Sequence, residues 1–307
     1  MMDTDGLSGS ELVFFWRVEE WYQWFGLFMI IVVAAFVIWE FRARWRRGEP
    51  MKPYTLDSLS SGATFFMLGL VSVFTLLATV GRHIHDNWAI WKTGMNIWAL
   101  IAVFVAADLV YFLIHWAFHR VNLLWATHSV HHSSPYFNTP MAFRFGPLDK
   151  VVNDIAHLPL ALFFDWRLII IAAVSNQGYQ AFIHNPEIGK LGFLEKFMNT
   201  PSHHRVHHGS DRKYLDKNYG GILIIWDRIF GQFQEEHETP IYGITKPINS
   251  FNPFIVWFNG FTRLWTKTRT ASGPREVLNC IVRPPGWQTH QEARTRAALE
   301  GAPVASG

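Results

Sequence analysis

His128-Ser129-Val130-His131-His132 and His204-Arg205-Val206-His207-His208 share the pattern H-x-x-H-H, and a pair spaced H-x-x-x-H, His115 and His119, lies upstream. Residues three and four apart share one face of a helix. Each string therefore predicts a helix that aims two or three rings at one point. Eleven of the 15 histidines fall between positions 115 and 208, where even spreading would place about five. Neutral imidazole is the commonest transition-metal ligand. The eight patterned rings, plus His184, can hold two metal ions with positions left open for water or oxygen. His83, His85, His237 and His290 fall outside the pattern and read as ordinary. His157 reads as a core histidine, and His203, beside the second string, as an outer support or without a role.

The surrounding sequence places these rings at a membrane. Half of the residues are hydrophobic, 16% are aromatic and 17% are charged, against roughly 25% charged in soluble domains. Trp21 to Trp39 carries no charge over 19 residues, close to the ~20 that span a bilayer. Acidic residues precede it, and Arg42, Arg44, Arg46 and Arg47 follow, so the positive-inside rule puts the arginines in the cytoplasm. Ser58 to Gly81 is a second uncharged run, 24 residues long. Thr93 to about Phe118 is a third apolar helix and carries His115 and His119 back to the arginine side. From Ile155 to His184, two apolar limbs flank Asp165-Trp166-Arg167, which predicts a hairpin that dips into the membrane and returns His184 to where the chain left.

The expected fold is thus an all-α integral membrane protein. About four transmembrane or re-entrant segments carry a cytoplasmic histidine-rich helical cap. The membrane-embedded domain is expected over 1–269, with its histidine core at 108–231. A loosely ordered tail is expected over 270–307, where Arg, Ala, Gly and Pro accumulate. The single cysteine, Cys280, excludes an intrachain disulfide and thiolate clusters. The net charge of +3 is compatible with an anionic lipid surface. No basic run sits on a soluble module, so nucleic acid is not an expected partner.

Several metal chemistries are excluded. His115 is followed by Trp116, so the H-E-x-x-H motif of zinc proteases is missing. No Glu has a His three residues later, which removes the Glu-x-x-His motif of soluble carboxylate di-iron proteins. Haem takes one or two axial rings, not triplets. An all-histidine pair of sites against a membrane favours iron and oxygen, although the ligand types also suit zinc.

Asp108, seven residues before His115, is an acid inside an apolar helix, which marks it as functional by default. It is expected to accept a hydrogen bond from a ligand histidine and fix its tautomer. Asn218 and Asp227, with Asp216 and Tyr219, follow the last string and are expected to orient histidines or cap a helix. Gln177 and Gln180 precede His184 and are expected to line a pocket.

Taken together, these residues resemble the fatty acid hydroxylase (sterol desaturase) superfamily of membrane di-iron oxygenases. The resemblance rests on Asp108-Leu109-Val110-Tyr111 ahead of His115, Trp125-Ala126-Thr127-His128, and His131-His132-Ser133-Ser134. It continues through Asn199-Thr200-Pro201-Ser202-His203-His204, Asp216-Lys217-Asn218-Tyr219-Gly220-Gly221 and Ile224-Ile225-Trp226-Asp227 to Tyr242-Gly243. The second half is most similar to the alkylglycerol monooxygenase branch, which uses tetrahydrobiopterin. The first half departs from that branch: this chain has Arg120 where the branch has an acidic residue, and Ser129 where the branch has a polar amide or similar residue. The resemblance implies metal ligation by His115, His119, His128, His131, His132, His184, His204, His207 and His208. It also implies two iron ions, dioxygen, a membrane lipid substrate and an external electron donor, either tetrahydrobiopterin or a redox protein.

The expected function is hydroxylation of a lipid C–H bond, whether fatty acyl, alkyl ether or sterol. Desaturation on the same site is the alternative, since both begin by removing hydrogen. A non-enzymatic metal carrier is a third reading. It needs polar residues along a membrane path, and only Asp108 is charged within the three clear spans.

Overall fold

The computed structural model describes residues 6–71 and 76–299, and every regular element among them is a helix. Helix α1 spans Gly9–Arg46, α2 Met51–Val71, α3 Arg82–Trp88 and α4 Ile97–Arg120. Among the described residues, α1 and α4 are long and apolar enough to cross a membrane. At 1.5 Å per residue they extend roughly 57 and 36 Å. The uncharged run 58–81 is divided between α2 and a π-helical turn at Leu77–Gly81. Its residues 72–75 lie outside the described residues.

Helix α4 is the axis of the molecule. Asn96 caps it by accepting from the backbone N–H groups of Trp98 and Ala99, both at 3.0 Å. Ala99, Val103, Ala107, Asp108, Phe112, His115 and His119 form its buried face. One helical stripe thus passes from small apolar residues, through one acid, to two imidazoles. The apolar part packs with Leu168, Ile169, Ile171 and Ala172 of α7 (Trp166–Ile183).

The segment 149–184 runs out and back along this axis. Helix α6 (Asp149–His157) leaves the histidine end, a 3-10 turn at Leu158–Leu162 follows, and Asp165 caps α7 by accepting from the Arg167 N–H at 2.9 Å. Leu162 O at the far end accepts from Ile90 N–H at 2.8 Å, just before α4 begins. The chain then returns along α7 to His184. His157 is buried midway, with Nδ1 2.7 Å from Asn153 O and Nε2 3.3 Å from Ala107 O; the neutral ring donates to one of these two carbonyls.

Short helices complete the histidine end: α5 (Asn122–His132), α8 (Pro201–His207) and α9 (Ile225–Ile229). The arginine end of α1 lies at this same end of the molecule. Arg47 donates to Glu187, three residues after His184, at 2.9 and 3.0 Å. Helix α10 (Pro253–Thr268) packs across α5 at Gly260, where a Cβ would collide with the backbone of Ala126.

The segment expected to be a loose tail contains two helices, α11 (Pro274–Val282) and α12 (His290–Leu299). Asn122 at the start of α5 explains the order. Its side chain donates to Cys280 O at 2.8 Å and its N–H donates to Arg283 O at 3.1 Å, with Cys280 buried. Residues 300–307 lie outside the described residues.

Candidate metal centre

The nine histidines singled out by the sequence converge on two adjoining groups. His115, His119, His128, His132 and His207 form one, and His131, His184, His204 and His208 the other. Within each group one nitrogen of every ring lies within 4.8 Å of the rest, and all nine residues are buried. The two strings divide in complementary fashion. In α5 the i, i+4 pair His128 and His132 joins the five-ring group, while His131 turns to the four-ring group. At α8 the pair His204 and His208 joins the four-ring group, while His207 turns to the five-ring group. The α4 pair completes the larger group and His184, at the end of α7, completes the smaller.

Backbone carbonyls set the tautomers. Nδ1 of His115 lies 2.9 Å from Tyr219 O, that of His207 2.9 Å from Lys217 O, that of His184 2.6 Å from Gln180 O, and that of His131 3.3 Å from Arg144 O. A carbonyl only accepts, so each Nδ1 carries the proton and each Nε2 presents a lone pair to the interior. This second layer of contacts is what orients ligand imidazoles in metal sites.

The inward nitrogens fit metal ions. Nε2 of His115, His119 and His128 is buried without a hydrogen-bond partner. In the four-ring group Nε2 of His184 lies 2.9 Å from that of His204 and 3.3 Å from that of His131, and His204 and His208 approach to 3.1 Å. His131 and His184 have both committed Nδ1–H to carbonyls, so two lone pairs face each other across that gap. Such an approach is repulsive between neutral rings and natural around a shared cation. Ligand nitrogens about 2.0–2.1 Å from one ion sit roughly 2.9–3.4 Å apart. Burial, reinforced by neighbouring rings, holds His128, His131, His132, His204, His207 and His208 well below the ordinary histidine range. Burial lowers His184 to about 4. The rings are therefore neutral near pH 7, as metal ligation requires.

Two carboxylates adjoin the five-ring group. Asp216 Oδ1 is 3.7 Å from His119 Nδ1, and Asp149 Oδ1 is 3.9 Å from His128 Nδ1. Sequence reasoning passed over Asp149 because no motif surrounds it. Asp216 sits at φ 60 and Asn218 at φ 57, left-handed positions that Asp and Asn tolerate better than most residues. They fold the 216–221 loop over the rings.

Asp108 differs from expectation. It accepts four hydrogen bonds, from Asn176 Nδ2 at 2.9 Å, Ile222 N at 2.7 Å, Leu223 N at 3.1 Å and Trp226 Nε1 at 2.9 Å, and none of the four is a histidine. The reason is the approach of the 219–226 loop, which brings backbone donors to the buried acid before any ring can reach it. Gly221 permits that approach, because a Cβ there would run into Asn176 Nδ2 and the Asp108 carboxylate. Asp227 accepts from Tyr219 N at 2.6 Å and Gly220 N at 2.7 Å. Burial pushes its carboxyl up to about 7, against the effect of those two donors. Asn218 donates to His203 O at 3.1 Å and Gln234 O at 2.7 Å. These three residues act on the backbone that carries Tyr219 O and α8, not on the rings.

A small cavity of about 40 Å³ touches both groups. His115 and His128 of one group and His131 and His184 of the other line it, together with Phe118, Phe145, Asp149, Asn153, Gln177 and Gln180. The two glutamines expected to line a pocket do so.

Residues 100–232, from α4 to the end of α9, match the fatty acid hydroxylase family. The chain is similar to alkylglycerol monooxygenase from Homo sapiens, with 38% identity over 75% of this chain and 53% of the relative. The enzyme of that name from Danio rerio is 41% identical over 64% of this chain and 44% of the relative. Ornithine lipid hydroxylase OlsE from Rhizobium tropici is 26% identical over 97% of this chain and 90% of the relative. The chain spans about half the length of the alkylglycerol monooxygenases it matches. No solved structure matches it.

Proposed function

This chain belongs to the fatty acid hydroxylase superfamily, and from that premise we propose that it is a membrane-bound, oxygen-dependent hydroxylase acting on a lipid C–H bond through two iron ions held by its nine converging histidines. The observation that carries the reading is the arrangement of those rings: carbonyls fix the Nδ1 protons of His115, His131, His184 and His207, and the nine rings converge in two groups. The relatives named as monooxygenases and lipid hydroxylases support oxygen insertion over other metal chemistry.

Bound iron would supply the reduction of dioxygen that attack on an unactivated C–H bond requires, with electrons from an external donor such as tetrahydrobiopterin or a redox protein. The protein's own part is orientation and exclusion. His115, His119, His128, His132 and His207 would hold one ion, and His131, His184, His204 and His208 the other. Phe118 stacks on His128 and Phe137 on His184, at centroid distances of 4.8 and 5.7 Å, and shields the rings from water. The cavity touches rings of both groups, which is where a lipid C–H bond would have to be presented. In this reading α1 and α4 cross the bilayer, and the arginines at the end of α1 set the histidine end in the cytoplasm.

The test is incubation of iron-loaded, reduced protein with a membrane lipid extract under 18O2, followed by mass spectrometry. Gain of one 18O atom in a lipid product is expected. Loss of two hydrogens without oxygen gain would replace hydroxylation by desaturation. No change in any lipid, with iron bound and reductant consumed, would overturn the reading.

A further inference from the structure

Asp57 and Arg144 form an ion pair in the interior, outside both ring groups, and are 0% and 1% exposed. Arg144 Nη1 donates to Asp57 Oδ1 at 2.9 Å and to Ser61 Oγ at 3.3 Å, and Ser134 Oγ donates to Asp57 Oδ2 at 2.7 Å. Asp57 lies in α2, immediately before the uncharged run that begins at Ser58. Desolvating both ions is costly, and well-packed apolar residues of similar volume are often at least as stable. The pair therefore calls for a reason besides stability.

Its contacts supply one, because Arg144 grips α5 twice. Through the side chain, Nε donates to Val130 O at 3.1 Å in the last turn of α5 and to Ser133 Oγ at 3.0 Å just beyond it. A cation is favoured at this end of a helix. Through the main chain, Arg144 O accepts from His131 Nδ1, 3.3 Å away. His131 projects about 100° round the helix from His132. It is the α5 ring that leaves its neighbours for the four-ring group. Arg144 O holds that ring, and Asp57, 87 residues away in sequence, holds Arg144.

We propose that Asp57 and Arg144 are positioning residues for the four-ring group, fixing the Nδ1–H tautomer and the direction of His131 through the Arg144 carbonyl. The inference rests on the two-group metal reading and adds the device that commits His131 to its group. The competing role is to stabilise the packing of α2 on α5, and the two roles separate experimentally.

The test compares full-length wild type in lipid nanodiscs with Asp57→Leu, the double variant Asp57→Leu with Arg144→Met, and Asp108→Leu. Asp57→Leu strands the guanidinium and should lower the thermal midpoint by roughly 10 °C. Adding Arg144→Met removes the stranded charge, and the midpoint should return to within about 3 °C of wild type. Ser61 and Ser134 keep other acceptors in that variant, Asp57 O and Tyr136 O. His131 is then read in metal-free, 15N-histidine-labelled protein by solid-state NMR, its signal assigned by its loss in His131→Gln. The wild type should show the Nδ1–H form alone, and the double variant a mixture of both tautomers. Asp108→Leu, destabilised elsewhere, should keep the wild-type His131 signal. In a chelator titration of iron-loaded protein, the double variant should weaken the first-released iron by about 10- to 100-fold and leave the second within about twofold. An unchanged His131 tautomer in the double variant, or iron affinity recovering together with the thermal midpoint, would overturn the positioning role. Absence of oxidation of any lipid by the wild type, with the tautomer still dependent on the pair, overturns only the hydroxylase reading.

Discussion

The two histidine groups are built from the same strings yet differ in number and surroundings. Five rings and two nearby carboxylates, Asp216 and Asp149, make the first group. Four rings make the second, and the Nδ1 contacts of His131 and His184 are to neutral backbone carbonyls. Carboxylates near ligand rings raise ligand basicity and favour a dication. The five-ring group should therefore hold its metal more tightly and tolerate the loss of a ring. The four-ring group, with no ring to spare, should be the more easily emptied and the more open to exogenous ligands.

The largest expected effect breaks the smaller group. His204→Ala leaves three rings there, and product formation should vanish while bound iron falls from two per chain to one. His119→Ala leaves four rings in the larger group, so iron should remain near two per chain with partial activity. Equal metal loss in the two variants would erase the distinction between the groups.

Next in size is Asp108→Leu, which strands four donors of the 219–226 loop and α7. The expected cost is on the order of 3 kcal/mol or more in stability, read as a lower thermal midpoint. The loop carries Tyr219 O, the acceptor for His115. The five-ring group should therefore loosen first, even though Asp108 touches no ring. Asp216→Asn removes a charge beside His119 and should weaken metal binding at the larger group by about 10- to 100-fold in a chelator competition. An equal shift at both groups would contradict the assignment.

The remaining effect concerns pH. Burial depresses His184 and His203 to about 4, below the unfolded value of 6.5. Below pH 6.5 the unfolded chain therefore binds protons that the native state refuses. Stability is full above that pH and is lost progressively as pH falls toward 4. Metal-free protein at pH 6 should melt at a lower temperature than at pH 7.5, with every buried ring adding to the shift.

How much of this was legible in the sequence follows from where each partner lies along the chain. Helical spacing alone brought His128, His131 and His132 to one place, because the relation is local. Their division between two groups was not legible, since it depends on the azimuth at which α5 meets α8. The role of Asp108 was misjudged for the same reason. Its acidity inside an apolar helix marked it, but its donors stand more than 60 residues away in sequence. Helix α11 is tied to the rest of the fold by Asn122 reaching Cys280 and Arg283, a contact that polar composition does not reveal. Asp149 gave no signal beyond being an acid near a glycine.

In the proposed reading, nine histidines of this chain hold two ions in unequal groups. Iron counted per chain during a graded chelator titration of anaerobically loaded protein tests it most directly. Two irons per chain are expected, released in two separate steps, with the first step leaving the five-ring site occupied. A stoichiometry of one iron or none per chain, or two irons leaving in a single step, would contradict it.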